Sequence, residues 1–272
     1  MTKDTTTKYR IGLAFSGGGA KSMAHLGMLQ CLKEYRVEAD LIAGVSGGAM
    51  VGAFYAAGYS PLETLDFFLE TKLFALGNFS FSKMGIIDTL RMEGPMAAFF
   101  PENRFEALKK HLVVVTTDLN APKMVAFEKG ELLRPLLASS AFPGMFTPVE
   151  IDGVLYADGG ITNNFPADLI RDKCDILLGM HLRPVKSRST ETMGNVAELL
   201  DRVYDIYSAS KVAKRLALCD GLMIPDGVGD YGTFSVKNED MERIFEIGYE
   251  STSKFFREEK GHDLMTRIKE LV

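Results

Sequence analysis

The residues with the clearest chemical meaning are a serine set between glycines in the segment Gly44-Val-Ser-Gly-Gly48. An apolar run, residues 41–45, leads into this segment and a stretch of small residues follows it, which fits the G-x-S-x-G pattern of a nucleophile elbow. In such an elbow a sharp turn from strand to helix exposes the serine hydroxyl, and the strained turn needs glycine beside it. Ser46 is therefore a candidate nucleophile for attack on a carbonyl group.

A serine nucleophile also needs hydrogen-bond donors for the oxyanion that forms during its attack. Gly17, Gly18 and Gly19 lie between an apolar run and a segment with helical spacing. Unpaired N–H groups at such a position, together with the helix dipole, favour negative charge. The amide of Gly47, directly after the serine, is a further candidate donor.

Nucleotide-binding loops are also rich in glycine, so the glycine loop must be compared with the two common patterns of such loops. A P-loop requires two glycines where this sequence has Phe15 and Ala20, so that interpretation fails. A dinucleotide fingerprint matches two of its three glycines but meets Ser22 at the third. Asp40 lies at about the right distance along the chain for a ribose contact, so dinucleotide binding remains an alternative.

A serine nucleophile also needs a general base to accept its proton. Both histidines and an aspartate are candidates for this role. His25, His111 and His262 are interpreted as surface or partly buried residues. His181 ends a predicted strand and follows the chain order Ser, Asp, His of α/β-hydrolases, so it stays a candidate base. Asp158 is the stronger candidate, because the Asp-Gly-Gly turn that it begins can hold a carboxylate rigidly. The alternative role for Asp158 is an Asx-type turn in a hairpin loop.

Apolar segments and turn residues along the chain predict the elements that must position these groups. Strands alternate with helices, which indicates a parallel sheet with helices on its faces. The fold class is therefore α/β, a three-layer α/β/α arrangement with a mostly parallel central sheet. The predicted strands cover residues 11–15, 41–45, 112–117, 175–182 and 221–225, and the predicted helices cover 20–35, 47–58, 131–140, 196–218 and 241 to the end, with a break near Gly261.

Composition narrows the class of protein. The 272 residues are 46% hydrophobic and 25% charged with a net charge of −5, which is typical of a soluble globular protein and gives no basic surface for nucleic acid. Three widely spaced cysteines indicate reduced thiols and a cytoplasmic protein. We expect residues 1–10 to be a flexible tail and residues 11–272 to be one domain. The uncharged window of residues 41–62 is interpreted as a buried strand and helix, not as a membrane span.

Residues 71–101 are rich in methionine and phenylalanine but have no clear period. Irregular packing over the core explains this composition. The alternative is a lid or entry surface for an apolar ligand, because flexible Met-rich and Phe-rich surfaces suit that role.

Taken together, three separated blocks resemble the patatin-like phospholipase family in their order along the chain. They are Gly17-Gly-Gly-Ala-Lys21, the elbow around Ser46, and Asp158-Gly-Gly160. The stretch of residues 138–149 resembles the family's approach to its aspartate, and Asn163, Asn164 and Pro166 follow as they often do there. The resemblance covers residues 11–182.

The resemblance implies a Ser–Asp dyad without histidine, in which Ser46 attacks an acyl ester and Asp158 acts as the general base. The loop of Gly17, Gly18 and Gly19 would hold the oxyanion, and Lys21 stands where the family has a basic residue. Ser22 departs from the family pattern, which has glycine there.

The function that follows is hydrolysis of lipid acyl esters, of the phospholipase or lysophospholipase kind. The implied partners are a lipid ester and, transiently, a membrane or micelle surface on the cytoplasmic side, with no cofactor and no metal. A catalytically weak or inactive lipid-binding protein of the same fold is the alternative, motivated by Ser22 and by residues 71–101.

Overall fold

A computed structural model describes residues 9–71, 79–82, 85–185, 187, 194, 196–235 and 237–271. Within these residues the strands are β1 (Tyr9–Phe15), β2 (Leu41–Val45), β3 (Phe79–Ser82), β4 (Gly85–Ile87), β5 (His111–Asp118), β6 (Lys123–Phe127), β7 (Val149–Ile151), β8 (Val154–Asp158), β9 (Cys174–Met180) and β10 (Gly221–Met223). The helices are α1 (Met23–Glu34), α2 (Gly47–Ala57), α3 (Pro61–Thr71), α4 (Glu93–Ala97), α5 (Leu133–Ser139), α6 (Gly160–Asn163), α7 (Val196–Leu216), α8 (Asn238–Arg257) and α9 (Glu259–Leu271).

The central sheet is mostly parallel, as predicted. Its strand order is β10-β9-β1-β2-β5-β8-β7, and β6 also pairs with β5. The first five strands of this order run parallel to one another. Because side chains alternate along a strand, Leu13 and Phe15 enter a large apolar core while Ala14 enters a smaller core on the other face. Helices cover both faces, so the predicted three-layer α/β/α arrangement is confirmed.

Strands β2 and β8 meet end to end along one edge of β5, and this arrangement creates the site. Val115 and Thr116 of β5 both pair with β6 on one edge. On the other edge Val115 pairs with Val45 of β2, and Thr116 pairs with Asp158 of β8. Strand β2 is parallel to β5 and β8 is antiparallel, so their carboxyl ends converge there. Ser46, the next residue after β2, and Asp158 are therefore brought together by the sheet.

The structure corrects the prediction for residues 142–166, which we expected to be mainly loop. This stretch contains β7 and β8, joined by a tight turn at Asp152 and Gly153 with φ values of 50° and 77°. Positive φ at both central residues is the geometry that matches the twist of a two-stranded hairpin. Asp158 consequently lies at the end of a strand and not in the hairpin turn. The short strand β6 was also not predicted.

Differences at the other elements are small. Tyr9 and Arg10 already belong to β1, whereas residues 1–8 of the predicted tail lie outside the described residues. The break in the C-terminal helix falls at Glu258, three residues before the predicted one. Gly261 still has a reason to be glycine, because a Cβ there would lie 2.0 Å from the carbonyl oxygen of Phe255.

The uncharged window of residues 41–62 forms β2, the elbow and the buried helix α2, as interpreted from the sequence. Among the helices of the described residues, none combines the length and the apolar character that crossing a bilayer would require. Of the segment considered as a lid, residues 72–78 and 83–84 lie outside the described residues. Within its described part, Met92 and Met96 are buried in the large core.

Candidate active site

Ser46 occupies a strained turn between β2 and α2. Its φ of 54° and ψ of −130° are unusual for a residue with a side chain, and such strain is concentrated at functional sites. Gly44 permits the tight packing of this turn, because a Cβ there would lie 2.6 Å from the Cα of Ala49. The structure therefore has the sharp turn from strand to helix that the sequence predicts around Ser46.

Ser139, at the end of α5, holds both sides of the site. Its hydroxyl accepts a hydrogen bond of 2.8 Å from the N–H of Ser46 and donates one of 2.6 Å to the carbonyl of Val115. Two residues later, the carbonyl of Ala141 accepts a bond of 3.0 Å from the N–H of Asp158. One buried segment thus fixes the strained serine and the aspartate relative to each other. Sequence analysis did not assign this role to Ser139, although the residue lies in the stretch that resembled the family.

Asp158 is 2% exposed and lines the same pocket as Ser46, whose hydroxyl lowers the pKa of the Asp158 carboxyl. The Oδ1 atom of Asp158 accepts a bond of 2.8 Å from the N–H of Gly160. Burial raises the pKa of Asp158 from an ordinary 3.8 to about 6, against the opposing effects of the Gly160 N–H, the Ser46 hydroxyl and the Arg183 charge. A carboxyl group with this pKa ionises just below neutral pH and remains a useful base.

The glycine loop lies beside the Ser46–Asp158 pair, and Gly17, Gly18 and Gly19 all line the same pocket. The N–H of Gly17 is 3.4 Å from the carbonyl oxygen of Asn164. By contrast, the N–H groups of Gly18 and Gly19 donate to no acceptor within the described residues. Two backbone donors without an acceptor among the described residues therefore border the pocket.

The geometry removes the dinucleotide alternative. The glycine loop follows the carboxyl end of β1, whereas Asp40 immediately precedes the amino end of the parallel strand β2. Asp40 therefore lies at the amino ends of the strands, opposite the glycine loop, and its carboxylate is 3.4 Å from the Arg10 guanidinium.

Ser22, the departure from the family pattern, lies under the first turn of α2. A Cβ placed on Gly47 would be 2.4 Å from the Ser22 hydroxyl, which marks their close contact. Ser22 does not line the pocket. Lys21, beside it in the sequence, is 1% exposed. Its charge affects Asp201 of α7. Burial alone would raise the pKa of Asp201, but interactions with Arg183 and the charge of Lys21 lower it overall.

Histidine is absent from the lining of this pocket among the described residues. Our interpretation of His25 as a surface or partly buried residue was wrong, because His25 is completely buried, 2.9 Å from the carbonyl oxygen of Ser16 and stacked on Phe15. Burial lowers the pKa of His25 to about 3 and that of His181 to about 4. His181 packs edge-on against Phe165, so it does not occupy the position of a base for Ser46.

A second polar group reaches the pocket from α7 and was not predicted. The hydroxyl of Tyr204 lies 3.5 Å from Oδ1 of Asp158 and 3.4 Å from Oδ1 of Asn164. Burial and the neighbouring Asp158 charge raise the pKa of Tyr204 well above 10, so its phenol stays protonated. Gly160 makes room for it, because a Cβ there would lie 1.4 Å from the Tyr204 oxygen.

Arg183 packs against the aromatic ring of Tyr204. Its guanidinium lies 5.0 Å from the Tyr204 ring centre and is held by Asp201 and by Asp205, the latter at 2.6 Å. Thr233 accepts a further hydrogen bond of 3.2 Å from the guanidinium. The only sequence signal for this group was a pair of aspartates four residues apart on a predicted helix, which face the same way.

The walls of the pocket are otherwise apolar and aromatic, formed by Met92, Phe142, Phe146 and Phe234. The cavity has about 20 Å³ of water-accessible space, which accommodates about one water molecule. Two buried polar atoms at its edge, Oγ of Ser140 and Nδ2 of Asn164, have no hydrogen-bond partner among the described residues. Buried polar atoms of this kind are costly unless they bind something.

Comparisons with known proteins agree with this geometry. A relative from Mycobacterium tuberculosis, described as an NTE family protein, is 37% identical over 168 residues, which are 58% of this chain and 44% of the relative. Human patatin-like phospholipase domain-containing protein 6 is 31% identical over 169 residues, which are 59% of this chain and 12% of that protein. The chain thus spans less than half the length of these relatives.

Among solved structures, VipD from Legionella pneumophila superposes with a TM-score of 0.53 at 17% identity, covering 92% of this chain and 67% of VipD. This likeness concerns the fold. The family profile described as patatin-like phospholipase matches residues 13–170, which contain the glycine loop, the elbow and Asp158. The chain therefore belongs to the patatin-like phospholipase family.

Proposed function

We propose that this protein is a serine hydrolase of lipid acyl esters that uses a Ser46–Asp158 dyad. The observation that carries the proposal is that the strained Ser46, the buried Asp158 and the glycine loop line one pocket. In that loop, the N–H groups of Gly18 and Gly19 have no acceptor among the described residues. A nucleophile, a base and oxyanion donors are the three parts that acyl transfer requires.

In the first half of the reaction, Oγ of Ser46 attacks the ester carbonyl carbon while Asp158 accepts the hydroxyl proton. Negative charge develops on the carbonyl oxygen, and the N–H groups of Gly18, Gly19 and Gly47 stabilise it. The tetrahedral intermediate then collapses, the bond to the alcohol breaks, and Asp158 returns its proton to the leaving oxygen. The acyl group remains on Ser46.

In the second half, a water molecule attacks the acyl-enzyme. Asp158, now ionised again, takes a proton from this water, and the same donors stabilise the second oxyanion. Collapse releases the carboxylic acid as Ser46 recovers its proton from Asp158. The cavity volume admits one water at this position, and the protonated Tyr204 phenol within 3.5 Å of Asp158 holds the carboxylate in place throughout.

The lining of the pocket supports a lipid ester as the substrate. Apolar and aromatic walls suit an acyl chain, and the unpartnered atoms of Ser140 and Asn164 suit the polar ester or head group. An acyl chain needs more space than one water, so we infer that Phe142, Phe146 or Phe234 moves aside when substrate binds. The family name and the resemblance in the sequence favour phospholipid or lysophospholipid within this class.

Covalent labelling tests the proposal directly. A fluorophosphonate probe should modify the protein at Ser46, and mass spectrometry of the digested protein should locate the adduct there. Ser46→Ala should abolish labelling while leaving the circular dichroism spectrum unchanged, and Asp158→Asn should slow it strongly. A matched control is Ser251→Ala on α8, which removes a serine that does not line the pocket. Binding of lipid without labelling would favour the alternative, an inactive lipid-binding protein.

A further inference from the structure

Over residues 199–208, helix α7 is oriented with polar side chains toward the protein and large apolar side chains toward solvent, whereas Val212 in its later part is buried. Asp201, Asp205 and Ser208 are buried. On the opposite side, five large apolar residues have exposed fractions between 37% and 55%. This is the reverse of an ordinary surface helix, whose apolar stripe faces the core. The five residues, which we call the α7 apolar face, are Leu199, Leu200, Val203, Ile206 and Tyr207.

The inverted orientation is fixed by ionic contacts, not by chance packing. Asp201 and Asp205 bind the buried guanidinium of Arg183. Turning the helix to bury its apolar face would leave that guanidinium unpaired, which is strongly unfavourable. The apolar residues that predict this helix from the sequence are therefore directed outward by the protein itself.

The α7 apolar face adjoins the pocket. Tyr204, on the same helix, contacts Phe142 in the pocket wall with ring centres 5.2 Å apart. Leu200 lies against the following loop, because a Cβ on Gly144 would be 2.9 Å from its Cδ1 atom. A surface that covers this face would therefore lie next to the entrance of the site.

Charges along α7 favour an anionic surface. Lys211 and Lys214 are exposed after the apolar residues, and Lys211 lies 4.1 Å above the Tyr207 ring. Glu198 is the exposed acidic residue near the other end, where it accepts a 2.8 Å bond from the N–H of Gly194. An amphipathic helix with lysines beside its apolar face is typical of helices that lie in the interface of a membrane.

The area of the face also bears on its partner. With the exposed fractions above, it presents on the order of 500 Å², which is less than the roughly 800 Å² per partner of a standard protein interface. An interfacial helix needs no such area, since its apolar side chains enter the acyl region of a bilayer directly.

We propose that the α7 apolar face docks this protein on the surface of a lipid bilayer that contains anionic lipid. Leu199, Val203 and Ile206 enter the acyl boundary, while Lys211 and Lys214 contact the head groups. The pocket beside Leu200 then opens toward the lipid. The purpose of docking rests on the proposed function, but the docking itself does not require catalysis.

The test measures binding of full-length protein to vesicles by flotation. Every protein carries Ser46→Ala, so that the lipid is not consumed. Vesicles contain phosphatidylcholine alone or phosphatidylcholine with phosphatidylglycerol. The triple variant Leu199→Ser, Val203→Ser, Ile206→Ser should lower the partition coefficient on mixed vesicles at least about tenfold. The matched control, Leu62→Ser on α3, removes an apolar side chain of 51% exposure and should bind like the unaltered protein.

A double variant separates the contribution of charge to vesicle binding from that of the apolar side chains. Lys211→Glu with Lys214→Glu should weaken binding to mixed vesicles but not to phosphatidylcholine vesicles, and added salt should reduce the difference. When Ser46 is retained, the triple variant should hydrolyse a soluble short-chain ester at the same rate as the unaltered protein, since its three substituted residues do not line the pocket.

Three results would overturn the inference: no vesicle binding by the unaltered protein, equal binding by the triple variant, or a dimer that the triple variant dissociates while vesicle binding persists. The last result would identify the face as an interface between two copies. Failure of the proposed function looks different, because the protein would bind vesicles through α7 yet neither label at Ser46 nor hydrolyse esters.

Discussion

The pKa of Asp158 leads to a prediction that couples activity to stability. Burial raises this pKa from an ordinary 3.8 to about 6. If ionised Asp158 is the base, about nine tenths of the protein is active at pH 7 and about one tenth at pH 5. We therefore expect kcat/KM for a soluble chromogenic ester to fall roughly tenfold per pH unit below about pH 6. Asp158→Asn should lower it by roughly 10²–10⁴-fold at pH 7.

A histidine base would give a different profile. Burial lowers the pKa of His25 to about 3 and that of His181 to about 4, so neither residue explains a loss of activity centred near pH 6. The pH–rate profile is measured from pH 4.5 to 8 for the unaltered protein, His181→Ala and Asp158→Asn. The dyad is refuted by full activity at pH 5, or by an active Asp158→Asn together with an inactive His181→Ala.

The same pKa predicts that the aspartate destabilises the folded protein at neutral pH. Between about pH 4 and pH 6 the folded state holds the Asp158 proton while the unfolded state has released it, so the free energy of unfolding falls as pH rises through this range. A pKa change from 3.8 to about 6 corresponds to about 3 kcal/mol. Asp158→Asn keeps the bond from the Gly160 N–H but carries no charge, so it should be more stable than the unaltered protein at pH 7.

Urea denaturation at pH 4, 5, 6 and 7 measures this effect as the difference between the two proteins. The difference is needed because the buried neutral histidines act with the opposite sign: their depressed pKa values make stability rise with pH as the unfolded histidines lose their protons. Subtracting the two curves cancels that contribution. We expect a difference that grows in favour of Asp158→Asn by roughly 2.4 kcal/mol between pH 4 and pH 7, and a constant difference would contradict the reasoning.

Three further predictions concern residues around the pair. Ser139→Ala leaves the N–H of Ser46 without its acceptor in a buried position, so we expect a loss of about 1–3 kcal/mol in unfolding free energy and a fall in kcat; Ser139→Thr, which keeps a hydroxyl, should retain more of both. Tyr204→Phe removes the hydroxyl beside Asp158, whose contact lowers the pKa of that carboxyl, so it should raise the kinetic pKa above that of the unaltered protein; an unchanged pH–rate profile would show that Tyr204 does not act on the base. Phe234→Ala widens the pocket and should raise the rate ratio of long-chain to short-chain esters in an ester panel, whereas an unchanged ratio would place the acyl chain elsewhere.

Local patterns were sufficient to predict the parts of the site that the backbone dictates. The elbow around Ser46 and the glycine loop depend on which residues tolerate a tight turn, and that information lies in short segments of sequence. The mostly parallel sheet followed from alternating strand and helix patterns. The proposed pairing of Ser46 with Asp158 came from the family resemblance, and the convergence of β2 and β8 on β5 explains why the two residues lie close together.

Residues whose roles depend on distant contacts were not predictable in this way. Ser139 and Tyr204 reach the pair only because α5 and α7 pack beside it. The complete burial of His25 arises where α1 lies between the sheet and α8, so that a polar residue is enclosed from both sides. Strands β6 and β8 are short and only partly buried, and their sequences therefore carry a weak strand signal between turn residues.

The pKa of Asp158, the proposed base, depends on a helix outside the region that matches the family. An unpaired cation beside a buried carboxyl would lower its pKa strongly, and Arg183 does act on Asp158 in that direction. Asp201 and Asp205 of α7 neutralise this guanidinium, so burial prevails and the pKa of Asp158 stays near 6. The same two contacts hold the apolar residues of α7 outward. The ion pairs that keep the pKa of Asp158 near 6 therefore also direct the proposed membrane-binding face outward.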